Sequence, residues 1–246
     1  MASTRFPGKP LAPILGLPMV EHVRRRAALV DVIDRVVVAT CDEEVMAAVA
    51  RAGGEAVMTA DSHERCTERV EEAMRAIPGD IVVIVQGDEP LLSPASIRAA
   101  IEPVLSGTTA CTNVLNPIRD GEMSDRNVVK AVCDQRGDLM YLTRAAVPHR
   151  LHPVECPVYR QTGLMAMTID VLRTFVALPP TPFERAESID ILRLLEHGHR
   201  VRGVPREDRS VGVDVPSDVD TAEGILRSDP QQSELYERTT VLAPAR

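Results

Sequence analysis

The sequence predicts an α/β protein: a Rossmann-like, doubly wound mixed sheet carrying a small antiparallel arm. Three observations carry that prediction. Short β-branched runs alternate with segments whose apolar residues recur at helical spacing. Residues 80–86 (DIVVIVQ) are apolar on both faces, as a strand inside a parallel sheet is. Gly53-Gly54 closes one helical segment, and Gly87 lets the chain turn after the strongest strand.

Taken in order, residues 19–30 read as a helix entered through Pro18. Residues 34–40 are a buried strand, and 42–52 a helix capped by Asp42 and closed by Gly53-Gly54. A strand at 55–59 and a helix at 67–77, with Thr67 as its cap, precede the central strand 80–86. Ser93 caps a helix running to Leu105 with Pro94 in its first turn. The pattern then changes: 108–115, 128–134, 138–143 and 158–168 are strand-like, with Gln135-Arg136-Gly137 as a turn, and this is the antiparallel arm. Helices at 169–178, 184–197 and 217–227 and a strand at 199–204 complete a single domain over residues 1–227. Residues 228–246 are polar and proline-bearing, and a loosely ordered tail is expected there.

Composition narrows the function. The 246 residues are 44% hydrophobic and 26% charged, with a net charge of -8. This is an ordinary globular balance. An acidic chain with 2% aromatics and no Trp is not a general nucleic-acid binder. No apolar run reaches the roughly 20 residues of a membrane helix, and residues 1–10 contain no apolar signal core. Five scattered cysteines (Cys41, Cys66, Cys111, Cys133 and Cys156) make no C-x-x-C pair and cannot all be paired. They are expected as reduced thiols in a cytoplasmic protein. Cys66 lies near His63 in sequence, a weak sign of a reactive thiol.

Of the 28 basic residues, 26 are Arg and two are Lys, Lys9 and Lys130. Lysine offers a compact, rotatable ammonium that the planar guanidinium cannot imitate in a tight site.

Ligands of open α/β sheets bind beyond the carboxyl ends of the strands. Gln86-Gly87-Asp88-Glu89-Pro90 follows the strongest strand and sets Asp88 where it can hold Mg²⁺ through oxygen. Val211-Gly212-Val213-Asp214-Val215-Pro216 repeats the design, so Asp88 and Asp214 can share one metal. Ser3-Thr4-Arg5-Phe6-Pro7-Gly8-Lys9-Pro10 joins hydroxyls, two cations and a glycine, the makings of a triphosphate cradle without the spacing of a P-loop. Alone, each of these segments reads equally as a turn or a basic tail.

Together, and in this order, they resemble the 3-deoxy-manno-octulosonate (KDO) cytidylyltransferases and, more broadly, the sugar-acid cytidylyltransferases. The resemblance runs from Met1 to about Leu226. It includes Thr67-Glu68-Arg69, Asn127-Val128-Val129-Lys130, Tyr141-Leu142-Thr143-Arg144 and Pro182-Phe183-Glu184-Arg185-Ala186-Glu187. It implies a fold of the nucleotide-diphospho-sugar transferase type and a transfer of cytidylate from CTP to a 2-keto sugar acid, with pyrophosphate leaving. It implies catalytic roles for Arg5, Lys9, Asp88 and Asp214, with Asp88 and Asp214 on Mg²⁺. CTP would be met by Ser3, Arg5, Lys9, Arg69 and Gln86, and the acidic sugar by Lys130, Arg144, Gln161, Glu184 and Glu187. For Glu184 and Glu187 the residues alone equally suit exposed acids at a helix start. A homodimer built through residues 108–168 also follows from the resemblance, with a product used in lipopolysaccharide biosynthesis, a capsule or another glycoconjugate. Another nucleotide, or a catalytically silent nucleotide-binding relative, are the competing readings.

The chain departs from the family pattern in three places. The family's opening strand precedes the Ser-Thr-Arg motif, so this chain is expected to lack the first strand, with the true start upstream of Met1. Arg65-Cys66 stands where the family carries Ser-Gly. Gln161, Met165 and Met167 replace a His and aromatic residues, and Asp190-Ile191 replaces a polar pair. These last changes predict a related but altered acidic-sugar pocket.

Overall fold

Residue chemistry sets most element ends directly. The Asp42 carboxylate accepts from the N–H groups of Glu44 (3.0 Å) and Val45 (3.3 Å) and starts a helix. Gly53, at φ 72, lets the chain leave it. The computed structural model describes residues 6–149, 151–152, 154–208 and 211–241. In chain order the elements are a 3₁₀ turn (Lys9–Leu11), β1 (Pro13–Ile14), β2 (Leu17–Pro18), α1 (Met19–Ala27), β3 (Val37–Thr40), α2 (Glu43–Arg51), β4 (Glu55–Met58), α3 (Cys66–Met74), β5 (Ile81–Ile84) and α4 (Pro94–Leu105). They continue with β6 (Cys111–Pro117), β7 (Lys130–Cys133), β8 (Leu139–Thr143), β9 (Tyr159–Thr168), α5 (Ile169–Ala177), α6 (Pro182–Glu187), α7 (Leu192–Glu196), β10 (Arg202–Pro205), α8 (Pro216–Ser228) and α9 (Pro230–Val241). Among the described residues no helix is long and apolar enough to cross a membrane.

The chain forms two compact units. The first comprises the described residues of Met1–Ile77, Val85–Arg98 and Arg209–Arg246. Here β3 and β4 run parallel, and among the described residues they pair only with each other. Helices α1 and α2 bury Val20, Val45 and Val49 together. A second cluster joins Ile14, Met19, Leu91 and Val213 to Ala222, Ile225 and Leu226 of α8. At roughly 25 cal/mol per Å² of apolar surface, burying each of the Val, Leu, Ile and Met side chains among these is worth about 1.5–3 kcal/mol.

The second unit comprises Pro78–Ile84 and Ala99–Asp208. Its six-stranded mixed sheet is organised by the long strand β9, which pairs antiparallel with β6 on one edge. The other edge of β9 is shared between β5 and β7. β10 lies parallel to β6, and β7–β8 is an antiparallel hairpin turned at Gly137 (φ 85), matching the expected arm.

Three expectations are corrected. The run 80–86 is not a central parallel strand. β5 covers only Ile81–Ile84 and pairs antiparallel with β9. Its burial alternates although its residues are all apolar, so composition alone does not mark a strand covered on both faces. The helix expected over 184–197 is broken into α6 and α7 by Ser188, in the left-handed region at φ 55. The apolar positions 189, 191, 192 and 194 are all buried and do not share one helical stripe. The tail is not loosely ordered where it is described, because α9 occupies Pro230–Val241. Asp229 accepts from the N–H groups of Gln231 (3.0 Å) and Gln232 (3.1 Å), and Pro230 then sits in the first turn, where proline favours a helix. The Tyr236 ring stacks on His22 at 5.6 Å, and its hydroxyl donates to the Leu15 carbonyl at 3.0 Å.

Candidate active site

Three distant segments of the first unit converge. Gly8 adopts φ 74 and turns the chain into the short 3₁₀ turn that presents Lys9. Asp88 lies in the turn after residue 86, and its carbonyl accepts from Val213 N–H at 2.9 Å, tying that turn to the start of α8. Next along, Asp218 accepts from the N–H groups of Asp214 (2.8 Å) and Val215 (3.0 Å). Asp218 thus caps the α8 N-terminus, leaving the Asp214 carboxylate half-exposed. Lys9 Nζ then lies 2.7 Å from Asp88 Oδ2 and 3.2 Å from Asp214 Oδ1.

One ammonium therefore reaches both carboxylates, so one small cation can do the same. The donors are hard carboxylate oxygens. Among the described residues no group of three or more His, Cys, Asp or Glu gathers around a possible metal. Two protein carboxylates, with water and phosphate completing the shell, is the arrangement Mg²⁺ takes beside nucleotides, and the residues fit it. A groove of about 480 Å³ adjoins the same turn at Phe6 and Gly8, but Lys9, Asp88 and Asp214 do not line it. Its acidic members, Glu44 and Asp220, suit no triphosphate.

Ser3 and Arg5 lie outside the described residues. Arg69 Nη1 donates to Thr59 Oγ1 (2.6 Å) and the Ala60 carbonyl (3.1 Å), and so holds the loop after β4. Glu72 binds the same loop, accepting from Ala60 N–H at 3.0 Å and pairing with His63 Nε2. The Gln86 side chain is exposed. Cys66 is exposed at the first position of α3.

In the second unit the structure gathers Lys130, Arg144 and Glu187 and separates Glu184 from them. The Glu187 carboxylate accepts from Thr143 Oγ1 (2.6 Å) and Arg144 N–H (2.8 Å). Desolvation pushes its pKa up, but these hydrogen bonds and the Arg144 charge outweigh that and hold it below the usual glutamate value. Glu184 is no exposed helix-start acid. It is buried and forms a two-pronged pair with Arg193, at 2.8 Å to Nε and 2.6 Å to Nη2. On one unbroken helix nine residues would separate the two by about 13.5 Å, so the break at Ser188 makes the pair possible. Arg193 also stacks over the Phe175 ring at 4.1 Å. With both oxygens occupied, Glu184 is part of the core rather than a ligand for sugar hydroxyls. Lys130 is likewise buried, and its ammonium faces three backbone carbonyls, which removes it from direct contact with a carboxylate or phosphate. Gln161 is half-buried in β9 and pairs with Leu115 of β6.

The sequence motifs assign no role to Asp218. Its signal is nevertheless local: an acid at the third residue of a helix entered through Val-Pro is a capping position. The partnership of Glu184 with Arg193 has no such signal, since it depends on a helix break.

Comparison with known proteins shows the family to which the chain belongs. The sequence profile of the family described as Cytidylyltransferase matches residues 1–201. The 3-deoxy-manno-octulosonate cytidylyltransferase of Anaeromyxobacter dehalogenans (strain 2CP-C) is 41% identical over 227 residues, covering 91% of this chain and 93% of that protein. The protein of the same name from Geobacter metallireducens is 40% identical over 240 residues, covering 89% of this chain and 91% of its own. Among solved structures, CMP:2-keto-3-deoxy-manno-octonic acid synthetase complexed with CTP superposes with a TM-score of 0.88 at 32% identity, over 93% of this chain and 95% of that one. The chain belongs to the cytidylyltransferase family, among the 3-deoxy-manno-octulosonate cytidylyltransferases.

Proposed function

We propose that this protein transfers the cytidylyl group of CTP to the anomeric hydroxyl of KDO or a closely related 2-keto sugar acid. The single observation that supports this most is the convergence of Lys9, Asp88 and Asp214. In the reaction the sugar hydroxyl oxygen bonds to the α-phosphorus, the bond to the bridging oxygen breaks, pyrophosphate leaves and the hydroxyl proton is lost. Such transfers depend on positioning and charge neutralisation. Lys9 holds both carboxylates through two of its three N–H donors, and a metal taking those carboxylates would release it to donate to the triphosphate oxygens. The resemblance assigns Ser3 and Arg5 to the phosphates, and Arg69 and Gln86 to the nucleotide. Asp88 and Asp214 would hold Mg²⁺, which when bound neutralises phosphate charge and lowers the pKa of the attacking hydroxyl. Arg144, braced by Glu187, receives the sugar carboxylate, and Gln161 a sugar hydroxyl. A cytoplasmic homodimer formed through residues 108–168 completes the proposal, its product entering lipopolysaccharide or a similar glycoconjugate.

The test is pyrophosphate release and ³¹P detection of the CMP-sugar, using CTP, Mg²⁺ and a panel of 2-keto sugar acids. Release with KDO or one of its close relatives is expected. CTP binding without product from any acid would contradict the proposal and favour a silent nucleotide-binding protein.

A further inference from the structure

Lys130 opens β7 and is fully buried. Its ammonium donates to the carbonyls of Asp125, Val128 (2.9 Å) and Arg144 (2.9 Å). Three N–H donors meet three acceptors, so the group is saturated. Burial pulls its pKa down, as expected for a charge taken out of water; the Asp125, Glu187 and Glu122 charges oppose that shift and the Arg144 charge adds to it.

Arg144 uses the same loop. Its Nε donates to the Glu187 carbonyl at 2.8 Å, and its Nη1 to the carbonyls of Arg126 (3.2 Å) and Asn127 (3.4 Å). Four consecutive carbonyls, at residues 125–128, are thus divided between two cations. The outer pair faces Lys130 and the inner pair faces Arg144. Among the described residues Arg144 Nη2 makes no hydrogen bond, so one corner of the guanidinium is left for an external acceptor. Without Lys130, three carbonyls in part-buried hydrogen bonds lose their donor, and the loop that orients Arg144 loses its anchor.

We propose that Lys130 is a positioning residue: it closes the 125–128 loop around Arg144 and so presents Nη2 to the carboxylate of the sugar acid. This rests on the reading of Arg144 as the acid-binding group. The shape of the ammonium is essential, because a planar fork cannot aim three donors at three carbonyls around one point. That requirement accounts for a lysine here in a chain whose other 27 basic residues include 26 Arg.

The test compares the full chain with Lys130→Met, Lys130→Arg, Lys130→Ala and Arg144→Met. Lys130→Met and Lys130→Arg should raise KM for the sugar acid roughly tenfold or more and leave KM for CTP within about twofold. n-Propylammonium, which replaces the side chain missing from Lys130→Ala, should return that KM to within about threefold of the parent and do nothing for Arg144→Met. A second readout is independent of turnover. The Arg144 Nε–H, assigned in ¹⁵N spectra by its loss in Arg144→Lys, should exchange with solvent about tenfold faster in Lys130→Met. An unchanged exchange rate overturns the proposal, as does a parent-like sugar KM in Lys130→Arg or an equal rise of both KM values. If Lys130→Met does not fold, Lys130→Ala with and without the amine carries the same decision. If the parent turns over no sugar acid, the function reading fails, and the Nε exchange still decides the role of Lys130.

Discussion

The two lysines, one in each unit, show how much the acceptors around a cation reveal. Lys9 meets two carboxylates, one of them half-exposed, at the end of a turn open to solvent. Lys130 meets three carbonyls with no solvent contact. Carboxylates around an accessible cation can exchange it for another, such as a metal with a triphosphate. Carbonyls around a buried cation cannot let it go without leaving unsatisfied backbone. The same residue type is therefore a ligand in one unit and a strut in the other, and the arginine-rich background marks both without separating them.

That contrast can be broken most forcefully at the open site. Asp88→Asn and Asp214→Asn should each lower kcat roughly 10³-fold or more, as expected when several kcal/mol of charge stabilisation is removed. Lys9→Arg should cost about 10²-fold, because the fork overfills a site built for a point charge. Steady-state pyrophosphate release measures all three, and parent-like turnover in any variant removes that residue from its role. The buried Glu184 should instead answer in stability. Glu184→Ala leaves Arg193 uncompensated and should cost about 3–5 kcal/mol by urea denaturation. The folded fraction should keep its sugar KM. A raised KM with unchanged stability would restore Glu184 as a sugar ligand.

The smallest effect concerns His22. Burial pulls its pKa down to about 4, although its Nε2–H donates to the Ile14 carbonyl at 2.9 Å, an interaction that raises it. The folded value lies below the unfolded one of 6.5, so the unfolded chain binds the proton first. The stabilisation is complete above about pH 6.5 and is lost toward pH 4, at up to about 1.4 kcal/mol per pH unit. His22→Gln should flatten that slope in denaturation curves collected between those pH values. An unaltered slope would show that His22 does not titrate this way.

Much of the fold is legible in the amino-acid sequence. The Asp42 cap, the Gly137 turn and the ends of α4 and α5 are local events, set by residues a few positions apart. The convergence of Lys9, Asp88 and Asp214 spans more than 200 residues. It is legible only because each carboxylate closely follows a glycine at the end of an apolar run, at Gln86-Gly87-Asp88 and Gly212-Val213-Asp214, and because the combined motifs resemble a family. The features that escape a sequence reading depend on tertiary context. An all-apolar strand does not reveal its partner's direction, and β5 is antiparallel to its neighbour. Polar α9 has no apolar stripe to announce it, and its order comes from the Asp229 cap and from Tyr236. Lys130 and Glu184 look like ligands because a sequence displays a charge without displaying what already neutralises it.

The shared metal position is tested most directly by anomalous diffraction from crystals grown with CTP and Mn²⁺. The anomalous peak should lie on Asp88 and Asp214, with Lys9 Nζ moved onto the triphosphate. A metal bound elsewhere, or a triphosphate that does not touch Lys9, would contradict that assignment.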